Sequence, residues 1–234
     1  MKLYLIRHGD PNYKDNCLTP LGHVQAEALA ERMTEINPTR LYTSTYGRAR
    51  ETAEHTANKL GMPITELDFI HEINTTRPDM DGKENYRDYT AWVGTEKMAA
   101  EGIDLRNCDW DNSLLWNGNR IKPDNERVVA GFDAWLETLG YKREGLYYRV
   151  VEKDRELRPM VFAHGGSITC VLAHVFGLHP LFFVNFLRIN CTGITVLEFE
   201  GETGTLCCPR LTALNDHSHI IGLTVPGGGN DPRA

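Results

Sequence analysis

The chain has 234 residues, 41% hydrophobic and 24% charged, a balance that suits one sizeable α/β domain with a real core. A formal net charge of −7 argues against a general nucleic-acid surface, so any anion site must be a local basic pocket. The first apolar segment is only a strand long, no run approaches transmembrane length, and the six cysteines lack Cys-x-x-Cys spacing. The expectation is therefore a cytoplasmic chain with reduced thiols, no secretory signal peptide and no membrane span.

Leu3 to Ile6 read as a first strand that runs out at Arg7-His8-Gly9. Thr19 is a helix cap with Pro20 in the first turn. Val24, Ala28, Leu29, Met33 and Ile36 keep helical spacing until Asn37-Pro38 ends it. Leu41 and Tyr42 begin a second strand that finishes at Thr43-Ser44. A helix from Arg48 to Leu60 follows, stopped by Gly61, and Ile64 to Leu67 form a third strand. The resulting β-α-β-α-β order is the signature of a parallel sheet covered by helices.

Residues 73–123 break that rhythm with Tyr86, Tyr89, Trp92, Trp110 and Trp116 among many polar residues. They read as an insertion over the sheet edge, with one helix at about 84–101; such an aromatic-rich excursion points to function. Its aromatics either line a substrate pocket or form a small core of their own. The pattern resumes with a helix from Asp124 to Leu139, a strand from Met160 to Ala163 ending at His164-Gly165-Gly166, and a helix from Ser167 to Phe176. Strands at about 192–199 and 205–211 complete the sheet. The expected architecture is a three-layer α/β/α sandwich with a mainly parallel sheet, one domain over 1–223, a capping insertion and a mobile tail over 224–234.

Arg7 and His8 after one strand, Arg48 after another and His164 after a later one would share the carboxyl edge of a parallel sheet. Two arginines and two histidines converging on a helix N-terminus make a phosphate pocket, because guanidinium forks bind phosphate oxygens bidentately. Gly165 and Gly166 would let backbone N–H groups approach the anion.

Leu5 to Gly9, Leu18 to Ala26 (Leu-Thr-Pro-Leu-Gly-His-Val-Gln-Ala), Ser44 to Ala53 and Phe162 to Gly166 resemble the histidine phosphatase superfamily, the phosphoglycerate-mutase-like group. Asn215-Asp216-His217-Ser218-His219 is similar to its C-terminal Asn-Asp-x-x-His. The resemblance implies a phosphomonoester hydrolase that needs no metal or organic cofactor and acts on a small phosphorylated substrate. His8 would be the nucleophile, forming a phosphohistidine, with Arg7, Arg48 and His164 holding the equatorial oxygens. His8 must attack as the neutral imidazole, so a hydrogen bond on its other nitrogen should fix the tautomer, with a carbonyl near Gly9 as acceptor.

The family's acid/base falls after the third strand in a segment like Leu-x-Glu. Phe69-Ile70-His71-Glu72-Ile73 makes Glu72 the candidate, with Asp79, Asp81 and Glu84 as rivals. Many members continue Arg-His-Gly-Glu-Thr to a phosphate-binding Asn. Here the run is Asp10-Pro11-Asn12-Tyr13, so Asn12 either takes that role or serves the turn. The stretch after Glu72 lacks the Arg-His-Tyr-Gly of true mutases, which favours a hydrolase over a phosphoglycerate mutase. A non-catalytic phospho-ligand sensor is the alternative outside enzymes.

The other polar residues have blander readings. His23 and His55 are helix-surface residues, His71 faces away from Glu72, and His217-x-His219 makes structural hydrogen bonds for want of a third metal ligand. Ser167 lacks a Gly-x-Ser-x-Gly context and serves as a helix cap. Among the insertion cations, Arg77 is the candidate for a second anionic group on the substrate. The substrate itself and the oligomeric state stay open.

Overall fold

The computed structural model describes residues 1–76, 100, 102 and 116–223. The 84–101 helix, most of the insertion, Arg77, the rival carboxylates Asp79, Asp81 and Glu84, and the 224–234 tail lie outside the described residues.

Strand β1 (Lys2–Arg7) leads through a small ribbon, β2 (Pro11–Asn12) with β3 (Cys17–Leu18), into helix α1 (Pro20–Ile36). Thr19 caps α1 as expected: its hydroxyl oxygen accepts from Gly22 N–H at 3.1 Å, and Asn37 ends the helix in the left-handed region. Strand β4 (Arg40–Thr43), helix α2 (Gly47–Leu60) and strand β5 (Ile64–Glu66) follow, then a 3₁₀ turn over Asp68–Ile70. After the insertion come helix α3 (Ile121–Thr138), the hairpin β6 (Tyr141–Glu144) and β7 (Tyr147–Val150), and strand β8 (Pro159–Ala163). Helices α4 (Gly165–Phe176) and α5 (Pro180–Phe186) precede strands β9 (Ile194–Glu198), β10 (Leu206–Cys207) and β11 (Arg210–Asp216).

Six strands form one sheet in the order β11-β9-β1-β8-β4-β5. β1, β8, β4 and β5 pair in parallel, while β9 runs antiparallel to β1 and β11. The two faces are legible in the strand alternation. Leu3 and Leu5 of β1 and Val161 and Ala163 of β8 face a core shared with Phe132, Leu136, Ile168 and Leu172 of α3 and α4. Ile6, Met160 and Phe162 face the opposite layer, where Leu29 and Met33 of α1 meet Ala53 and Ala57 of α2. This is the expected α/β/α sandwich with a mainly parallel sheet.

Four local expectations are corrected. α3 starts at Ile121, not Asp124, because Pro123 fits a first helical turn, where its missing N–H costs nothing. The predicted 205–211 strand splits: Leu206–Cys207 join the hairpin in a separate three-stranded sheet, and the main sheet takes Arg210–Asp216. The β6–β7 hairpin was not anticipated, although Gly145-Leu146 between Tyr- and Val-bearing segments is hairpin chemistry. Its Tyr148 and Val150 are fully buried beside Phe199. Helix α5, opened by Pro180 behind the cap His179, was also missed. At the insertion's exit, Trp116 sits edge-on to His179 (ring centroids 4.4 Å apart) and belongs to the main core.

Candidate active site

The carboxyl ends of β1, β4 and β8 bring His8, Ser44, Arg48 and His164 together with almost no exposure, and Glu72 arrives from the segment after β5. His8 is anchored through its backbone, its N–H donating to Ala163 O at 2.9 Å and its carbonyl accepting from Thr192 N–H at 3.2 Å. Gly9 is obligatory beside it. A Cβ there would lie 2.6 Å from the Gly22 carbonyl oxygen, so only glycine lets the end of β1 pass this close to α1. Thr52 on α2 locks the same turn by accepting from Gly9 N–H at 3.0 Å.

The His8 ring has one arrangement consistent with its neighbours. Nδ1 lies 2.7 Å from the Gly9 carbonyl, which can only accept, so Nδ1 carries the proton. Arg48 Nε–H, an obligate donor, points at Nε2 from 3.2 Å, so Nε2 presents its lone pair. Burial first, then the Arg7 charge, holds the imidazole well below its usual 6.5, so it stays neutral.

His164 closes the pocket as the N-cap residue of α4, its ring centroid 5.1 Å from that of His8. Ser44 Oγ sits 2.8 Å from His164 Nε2 and accepts from Tyr46 N–H at 3.2 Å. The serine thereby ties the His164 ring to the end of β4. His164 Nδ1 and Arg7 Nε are both buried and have no hydrogen-bond partner among the described residues. An orphaned buried polar group costs about 1–3 kcal/mol, and Arg7 Nε–H, an obligate donor in a cationic pocket, calls for an anion as its acceptor. Burial, then His8 and Arg48, also keeps His164 well below 6.5.

Arg7 is held by the Ile189 carbonyl, and Gly165 lies along its side chain. Arg48, in the first turn of α2, donates to Asn16 Oδ1 at 2.7 Å and packs on the rings of Tyr46 and Tyr13. Burial pulls this guanidinium below its usual value, with Glu72 opposing.

Glu72 is half-buried as a residue, but its carboxyl end is enclosed against the start of α4. Oε1 accepts from Ile73 N–H at 3.0 Å and Ser167 N–H at 3.1 Å. Gly166 makes room for it: a Cβ there would lie 2.6 Å from Oε1 and 2.5 Å from Ile73 Cγ1. Burial raises the carboxyl above its usual 4.5, and the Ile73 N–H and the two guanidiniums oppose that rise without cancelling it. A carboxyl whose pKa is raised beside a cationic pocket is suited to give a proton to a leaving oxygen.

A family model described as histidine phosphatase superfamily (branch 1) matches residues 3–211. The chain belongs to the histidine phosphatase superfamily. Curated relatives include a putative phosphoserine phosphatase 2 of Hydrogenobacter thermophilus, 26% identical over 95% of this chain and 99% of its own length. A probable phosphoglycerate mutase of Salmonella paratyphi A is 22% identical over 94% of this chain and 95% of its own. Among solved structures, a mycobacterial glucosyl-3-phosphoglycerate phosphatase with inorganic phosphate superposes with a TM-score of 0.63 at 19% identity, covering 93% of this chain and 98% of that one. A mutant phosphoserine phosphatase of Entamoeba histolytica, solved in complex with phosphoserine, reaches 0.61 at 20% identity over 94% and 98%.

This histidine phosphatase uses its C-terminal motif as a clamp. Asn215 Oδ1 accepts from Asn190 N–H at 2.7 Å and its amide donates to the Arg188 carbonyl, which fixes the loop whose Ile189 holds Arg7. Asp216 pairs with Arg32 of α1, and His219 Nε2 meets Thr192 Oγ1 at 2.9 Å. Hydrogen bonding was the expected role of this His-x-His pair.

Two sequence expectations change at the site, and of the two readings of Asn12 the turn is the one observed. Asn12 is spent on its own turn, where Oδ1 accepts from Lys14 and Asp15 N–H and Nδ2 donates to Asp15 Oδ2. The asparagine at the pocket is Asn16, which a sequence reading missed because the ribbon between β2 and β3 shifts it along the chain. Its left-handed φ of 54° is one that asparagine tolerates. The N-cap of α4 is His164, and Ser167 instead ties the first turn by accepting from His164 N–H at 3.3 Å. His71 does not leave the site altogether: it stacks on Tyr46, whose ring meets His164 edge-on. Ser44 was read only as a strand end and part of a motif, with no role at the site; its place after β4 was the available signal.

Proposed function

We propose that the chain hydrolyses small phosphomonoesters through a phosphohistidine on His8, without a metal, in a reducing compartment such as the cytoplasm. The observation that carries this reading is the His8 ring. It is neutral, its tautomer is set by Gly9, and its Nε2 lone pair lies among Arg7, Arg48 and His164 with the Glu72 carboxyl at the same pocket.

In the first step His8 Nε2 forms a bond to phosphorus while the bond to the ester oxygen breaks, and Glu72 gives its proton to the departing alkoxide. Arg7, Arg48 and His164 take the equatorial oxygens, and the two guanidinium charges are already fixed in place before the reaction. In the second step Glu72, now a carboxylate, takes a proton from water as that water attacks phosphorus. The P–N bond breaks, releasing inorganic phosphate and restoring neutral His8. The relatives' phosphatase names and the small phosphorylated ligands of the structural neighbours support this class of substrate.

Phosphate release from p-nitrophenyl phosphate in excess EDTA tests the proposal. Turnover should be metal-independent, lost in His8→Ala, and accompanied by an acid-labile, alkali-stable phosphoenzyme on rapid quench. Turnover that survives His8→Ala overturns it. The mutase reading, favoured by the relatives named probable phosphoglycerate mutases, instead requires isomerisation of 3-phosphoglycerate to outpace phosphate release.

A further inference from the structure

A cleft of about 550 Å³ continues outward from Arg7, Glu72 and Gly166, a size typical of small-molecule sites. Its chemistry changes away from the phosphate pocket. The floor is Ile73, Val184 and Ile189, all buried, with half-buried Leu187 beside them. The rim carries two aromatic rings left in water, Phe186 at 66% exposure and Tyr13 at 64%. Beside the Tyr13 hydroxyl, two polar side chains outside the phosphate pocket line the described cleft, Asn185 and Arg188. The Asn185 amide already donates to the Leu181 carbonyl at 2.8 Å, and Arg188 is engaged as well. Exposed apolar side chains scattered singly mean little, but here they continue a buried apolar floor that starts at the acid Glu72.

We infer that this outer cleft is an apolar leaving-group subsite, taking phosphomonoesters whose alcohol carries an alkyl or aryl body. As a statement about substrate it rests on the phosphatase reading above. As a statement about the surface it stands on the lining alone. A polar alcohol would leave the apolar floor uncovered, whereas an alkyl chain covers Ile73, Val184 and Leu187 and reaches the Phe186 ring. The phosphoryl group fixes one end of the ligand and the apolar body supplies the discrimination.

The test separates the two readings by using non-hydrolysable ligands. Methyl- to hexylphosphonate are titrated calorimetrically into the full-chain protein, with p-nitrophenyl phosphate turnover measured in parallel. Affinity should rise roughly three- to fourfold per methylene while the chain stays within the cleft, and the heat-capacity change should grow more negative with length. Phe186→Ser, at a site exposed enough for the fold to tolerate it, should flatten the gain for the longer members. Affinity independent of chain length overturns the subsite, even where turnover stands. A rising series in a protein that does not turn over phosphate esters keeps the subsite and removes the hydrolase reading.

Discussion

The inner and outer ends of the cleft are built from opposite materials. Inside, His8, Arg48 and His164 are almost wholly buried, the His8 ring has a set tautomer, and two glycines let main chain and carboxyl pass at contact distance. Outside, a short helix and a ribbon leave Phe186 and Tyr13 in solvent. Buried polar groups demand a complete set of partners, so the inner end depends on ångström-scale placement. Apolar contacts are non-directional, and the outer end tolerates change. Substitutions should therefore hurt in proportion to how far inside they lie.

The largest effect after loss of His8 is expected at Glu72. Glu72→Gln should lower kcat for alkyl phosphates roughly 10²- to 10⁴-fold, and less for p-nitrophenyl phosphate, whose leaving group needs no proton. The pH profile carries the sign. His8 must be neutral, so activity falls as pH drops through its lowered pKa, below 6.5. Glu72 must hold its proton, so activity falls again as pH rises through its raised pKa, above 4.5. In Glu72→Gln the alkaline limb assigned to this acid should vanish; an unchanged limb would remove Glu72 from the role.

Next comes Gly166→Ala, whose methyl group collides with Glu72 Oε1 and Ile73. Displacing the acid by a fraction of an ångström should cost up to about 10²-fold in kcat, with thermal unfolding measured alongside to separate activity from stability. Wild-type activity in this variant would show that the carboxyl position is not critical.

Ser44→Ala removes the partner of His164 Nε2 and should cost about tenfold in kcat. The ¹⁵N chemical shifts of His164 should move with the loss of this hydrogen bond, with Ser44→Thr restoring both activity and shifts. If the shifts stay unchanged without the hydroxyl, Ser44 does not position the ring. The smallest effect sharpens the contrast between two asparagines. Asn16→Ala, which frees Arg48, should lower kcat/KM roughly three- to tenfold, whereas Asn12→Ala, confined to its turn, should stay within about twofold. The reverse order would restore Asn12 to the site.

The legible parts of this molecule were local. Thr19, Pro20 and Asn37 bracket α1 through hydrogen bonds that span at most four residues, and Gly61 stops α2 with its own backbone. Period-2 alternation in β1 and β8 likewise follows from strand geometry alone. The hairpin and α5 escaped because each is short and makes sense only against Phe199 or the α4 layer. Asn12 and Asn16 differ by four positions, and nothing local says which of them meets Arg48.

By itself the sequence determined the longer helices, the strands of the parallel sheet and the basic groups at their ends, because propensity, capping and alternation act over a few residues. Only the tertiary structure decided which nitrogen of His8 is bare, which serine holds His164, and that Gly166 exists to admit Glu72. Those facts depend on atoms tens to more than a hundred residues apart meeting within 3 Å or so. They are set by how strands stack into a sheet, not by what any one segment prefers.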